Sequence, residues 1–73
     1  MSKSIIYIYL LDEGVDVWRP TEGEEIADMI FKVLPTQNYD PEDEHWEYPP
    51  GTLVHCSYKT LDDGEALVAV EKV

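Results

Sequence analysis

Residues 21–34 read TEGEEIADMIFKVL, and whether this stretch is helix or strand decides the fold. The helical reading rests on Thr21 and Glu24, which fit a capping box, and on Ile26, Met29, Ile30 and Val33, which recur at helical spacing. The strand reading places Met29, Phe31 and Val33 on one face and Ile30, Lys32 and Leu34 on the other. It also uses the β-favouring residues of IFKVL just ahead of Pro35, while Gly23 weakens a helix. The second reading predicts a strand from about Met29 to Leu34, preceded by a turn around Gly23 with room for one helical turn.

The flanking segments agree with a strand. Ile5 to Leu11 is an apolar run without alternation, the pattern of a central strand covered on both faces. Asp12-Glu13-Gly14 supplies a reversal, and Val15, Val17 and Trp18 follow as a short second strand that Pro20 ends or edges, giving a hairpin. Pro35 to Gly51 carries four of the five prolines and five acidic residues, which predicts a long loop. Thr52 to Lys59 alternates, with Leu53, His55 and Ser57 opposite Val54, Cys56 and Tyr58. Asp62-Asp63-Gly64 makes the next reversal, and Glu65 to Val73 closes the chain with Leu67 and Ala69 opposite Ala66, Val68 and Val70. The expected fold is all-β, a single small domain over residues 1–73: a five-stranded antiparallel curled sheet or a small SH3-like barrel, which hides its edges by near closure.

Composition narrows the function. Seventy-three residues hold one domain, whose core excludes water but leaves little room for a deep substrate cavity. Sixteen acidic residues against five basic ones give a net charge of −11, and the 44% hydrophobic fraction belongs to a folded domain rather than an acidic tail. A single cysteine permits no internal disulfide, which points to a reducing cytoplasm. The seven-residue run IIYIYLL is too short to span a membrane and lacks the small-residue cleavage site of a secretory signal.

The strings YLLDEGVDVWRP, PEDEHWEYPPGTLVHC and DGEALVAVE resemble a group of small bacterial proteins that share an LLDEG-x-DVWRP start and a W-x-[FY]-PPG-x-[VL]-V-x-C segment. The resemblance covers most of the chain and implies a bacterial, single-domain unit. It carries over no catalytic residues, and it supports the strand reading of 29–34.

Chemistry is sparse. His55 and Cys56 are neighbours on a strand, so they point to opposite faces and cannot share a proton as a nucleophile and its base. Cys56 reads as a small core residue. His45 lies among Asp40, Glu42, Asp43 and Glu44, but the loop lacks the regular acidic series and the glycine of a calcium loop, so no metal is expected. No phosphate cradle and no nucleophile motif occurs, and acidic pairs without a walled pocket have nothing to raise one pKa. These features predict a protein that is not an enzyme, with no catalytic residues and no cofactor.

What stands out is aromatic. Tyr39, Trp46 and Tyr48 alternate with acids and prolines in the long loop, beside Glu42, Asp43 and Glu44. They read either as an interface, where Trp and Tyr concentrate, or as a lid folded back over one open end of the barrel. Trp18 and Arg19 pose the same alternative, since the only arginine in a strongly acidic chain also reads as a structural partner for a carboxylate. The candidate partner-binding residues are thus Trp18, Arg19, Tyr39, Glu42, Asp43, Glu44, Trp46 and Tyr48. Widely separated Lys3, Arg19, Lys32, Lys59 and Lys72 disfavour direct contact with nucleic acid or anionic membrane. Two readings of function remain: a non-enzymatic module that binds a protein partner, one with a basic surface or a proline-bearing segment, and an acidic decoy that occupies the basic groove of a nucleic-acid enzyme. The apolar first strand also leaves homo-oligomer formation open.

Overall fold

The computed structural model describes residues 2–61 and 64–73. Six strands, and no helix, organise them: β1 (Lys3–Leu11), β2 (Trp18–Ala27), β3 (Ile30–Val33), β4 (His45–Trp46), β5 (Leu53–Leu61) and β6 (Gly64–Lys72). No helix among them is therefore long and apolar enough to cross a membrane. The sheet order β2-β3-β5-β6-β1, closed by a β1–β2 pairing, makes a small barrel-like ring, with β4 appended to the end of β1. Four seams of the ring are antiparallel and the β1–β6 seam is parallel. A closed meander of five requires this, because successive strands alternate direction and the fifth then runs with the first.

The regular structure within residues 21–34 is strand, β2 to Ala27 and β3 over Ile30–Val33, with the turn elsewhere than expected. β2 continues through Pro20 and Gly23 to Ala27, and the reversal falls at Asp28 and Met29, where Met29 takes a φ of 60°. A register shift between Glu25 and Ala27 precedes it, and the Met29 amide donates to the Glu25 carboxylate at 3.3 Å. The helical spacing was fortuitous: Phe31 and Val33 are buried at strand period while Ile26 is exposed. Pro20 does not end the strand, but it does take an edge position. It lies opposite Tyr7 at a point where β2 has a strand on one side only, since β3 first meets β2 at Gly23. Gly23 stands in mid-strand opposite Ser4 of β1, where the Ile6 side chain takes the space a side chain would fill: a Cβ there would lie 2.7 Å from Ile6 Cδ1.

One central cluster holds the ring together: Ile6, Ile8 and Leu10 of β1, Phe31 and Val33 of β3, Val54 and Cys56 of β5, and Leu67 and Ala69 of β6. β1 is not covered on both faces as its apolar run suggests. Ile6, Ile8 and Leu10 face the core, while Ile5 is 54% exposed and Tyr7 and Tyr9 are half-buried on the outer wall. The expected reversal at Asp62 and Asp63 lies outside the described residues. Tyr58 shares the inward face of Val54 and Cys56 yet is 62% exposed, as β5 has run past the packed part of the barrel by then.

Candidate interaction surface

The 35–52 loop is tied down by its own acids. Asp40 accepts from three amides: its carbonyl takes Asp43 N at 3.0 Å and Glu44 N at 3.1 Å, and its carboxylate takes Glu42 N at 2.9 Å. This turn delivers His45 and Trp46 to the end of β1, opposite Leu11 and Leu10, and Glu47 N then donates to Tyr9 O at 2.9 Å. Trp46 is 5% exposed and belongs to the central cluster. Tyr39 packs edge-on against it, with centroids 4.7 Å apart and planes at 68°.

The lid is latched by charge. Trp46 Nε1 donates to Glu44 Oε1 at 3.0 Å, Arg19 Nε donates to the same oxygen at 3.3 Å, and Arg19 Nη2 pairs with Glu44 Oε2. A two-point guanidinium–carboxylate pair fixes direction as well as distance, so one carboxylate holds β2 and the indole together. Tyr48 closes the other side, its hydroxyl donating to Val70 O at 3.2 Å. Trp46 therefore offers a partner no free surface, and of the two readings of this loop the lid is the one built. Of the expected site, Arg19, Tyr39, Glu44 and Trp46 are brought together as this latch, Tyr48 sits beside it, and Glu42 and Asp43 remain exposed on the turn.

The Arg19 hydrogen bonds, and next the indole N–H, hold the Glu44 carboxyl below its ordinary value of 4.5. A depressed folded-state pKa contributes stability above the ordinary value and loses it as pH falls through the folded value. Glu44→Gln should therefore flatten the acid limb of the stability curve: its deficit in urea midpoint against wild type is full at neutral pH and shrinks below pH 4.5. A deficit of equal size at every pH would contradict the latch.

Trp18 is separated from Arg19 because neighbours on a strand face opposite ways. Its ring lies on the outer wall, edge-on to Tyr9 with centroids 5.2 Å apart, and Lys59 Nζ stands 5.3 Å from its centroid. The Tyr9 hydroxyl donates to Asp16 at 2.9 Å, a bond that raises its pKa and fixes the ring on which Trp18 leans. Val68 is only 1% exposed yet lies outside the central cluster, since Leu67 and Ala69 take the inward positions. It marks a second, smaller apolar seat on the outside, at the β1–β6 seam. A groove of about 720 Å³ opens there, lined by Tyr7, Trp18, Lys59, Gly64, Glu65 and Ala66 among others.

Tyr7, Tyr9, Asp16 and Lys59 were not singled out by the sequence. The available signal was the pair Tyr7 and Tyr9, two residues apart in β1 on the side opposite Ile6 and Ile8. Elsewhere, His55 is exposed near Glu71 while Cys56 is buried, so the two do not meet. Burial pushes the Cys56 thiol from 9.0 up to about 11, far from the thiolate a nucleophile needs at neutral pH. No protein-family model, curated protein or solved structure matches this chain.

Proposed function

We propose that this protein is a non-catalytic protein-binding module of a reducing compartment, and that it docks a partner with a basic surface on its Trp18 face. One observation carries the reading: of the two tryptophans, Trp46 is locked inside by Glu44, while Trp18 is held on the outer wall beside a groove. A rigid aromatic already positioned by Tyr9 contributes contact area with little ordering cost, the property of interface anchors. Net charge of −11 then favours a basic partner and fast, salt-sensitive encounter. Exposed Glu42 and Asp43 act as steering charges, whereas Glu44 belongs to the latch.

The decoy reading draws on Glu22 and Glu24, which share the outer face of β2 with Trp18. Affinity capture with wild type and Trp18→Ala, at low and high salt, separates the two. The module reading expects a partner whose affinity falls by about 2 kcal/mol or more in the variant, with a melting temperature close to wild type. Capture indifferent to Trp18 but abolished by salt would transfer the protein to the decoy class.

A further inference from the structure

The free backbone of β6 and the cation on Trp18 lie in the same groove. β6 pairs with β5 from Gly64 to Lys72, but with β1 only at Val68, opposite Tyr7. Among the described residues, no strand pairs with Gly64–Leu67 on the side away from β5. Backbone donors and acceptors facing an open groove are a template for another strand. Resting on the module reading above, we infer that this groove accepts an extended peptide segment carrying a lysine or arginine, which adds as a strand to β6 and seats its cation on Trp18 in place of Lys59.

Charge chooses the occupant. Among the described residues, the charged ones lining the groove are Asp16, Glu65 and Lys59, so once Lys59 swings out an aromatic face remains between two carboxylates. Lys59 already shows that the seat takes an ammonium, held over the ring as cations are over tryptophan. A second copy of this chain is the poorer occupant, because each copy carries a charge of −11 and the open edge itself contains Glu65.

The test uses the full chain and three synthetic seven-residue peptides: one alternating valine with lysine, the same peptide N-methylated at alternate amides, and an acidic counterpart. Binding is read from amide shifts and amide exchange at low salt. The basic peptide is expected to shift the Trp18 indole and to slow exchange across Gly64–Leu67. N-methylation should weaken it at least tenfold, and the acidic peptide should not bind. Lys59→Ala should tighten it several-fold more than Lys32→Ala, an equal change of charge away from the groove. Shifts at Trp18 without slowed exchange and without an N-methylation effect would overturn strand addition while leaving the module reading intact. Weaker binding in Lys59→Ala would overturn displacement. No binding of the basic peptide, alongside a cellular partner still lost in Trp18→Ala, would overturn the occupant's chemistry alone. Self-association protecting Gly64–Leu67 without peptide would replace the occupant with a second copy.

Discussion

Trp46→Ala should lower folding stability by about 3–5 kcal/mol, the cost of removing a buried tryptophan. A domain of 73 residues has roughly 4–11 kcal/mol in total, at about 0.05–0.15 kcal/mol per residue, so this variant sits near the edge of folding. Two losses add. The cavity opens where Leu10, Trp46 and Tyr39 meet, and Glu44 keeps its charge but loses the indole donor. Trp46→Phe keeps a ring without the N–H and should fall between wild type and alanine. Urea unfolding checks both: the midpoint drops in that order with the slope unchanged. A Trp46→Ala protein as stable as wild type would place the indole outside the core.

The second large effect is at Gly23. An alanine Cβ would lie 2.7 Å from Ile6 Cδ1, 3.1 Å from Cγ1 and 3.2 Å from Cγ2, and Ile6 is fully buried, so its side chain must shift within the packed core. Overpacking of this kind costs about 1–3 kcal/mol, so Gly23→Ala should destabilise by that amount although alanine is a better strand residue than glycine. Ile6→Val deletes Cδ1, the nearest atom, and by itself costs about 0.5–1.5 kcal/mol. The double variant should be more stable than the sum of the two losses, with a coupling of about 0.5 kcal/mol or more. Strict additivity would mean that the Ile6 side chain does not crowd Gly23.

These two positions also mark what the sequence discloses. The strand over 29–34, the inward face of β5 and the burial of Cys56 follow from period-two alternation, which depends only on local geometry, whereas the alternation of β6 does not say that Leu67 and Ala69 are the pair turned inward. Gly23 was misread because glycine signals a turn and a strand position crowded by a neighbour's side chain equally, and the difference lies in Ile6, seventeen positions away. β1 was misread because tyrosines count as apolar while standing on a wet wall, so its alternation was masked at Tyr7 and Tyr9.

The site divides similarly. Arg19 as a carboxylate partner was legible from its being the only arginine in an acidic chain, and Glu44 is that partner. The split between the tryptophans was not, since both stand among acids near a proline. Only the pairing of β4 with the end of β1 turns one indole in, and only the β1–β2 register sets the other against Tyr9.

The division of labour between the two indoles is measured most directly by fluorine NMR of the protein labelled with 5-fluorotryptophan, with resonances assigned by Trp18→Phe. A soluble paramagnetic agent should broaden the Trp18 signal strongly and leave the Trp46 signal sharp. Equal broadening, or a shielded Trp18 beside an accessible Trp46, would contradict the assignment of one tryptophan to the core and the other to a partner.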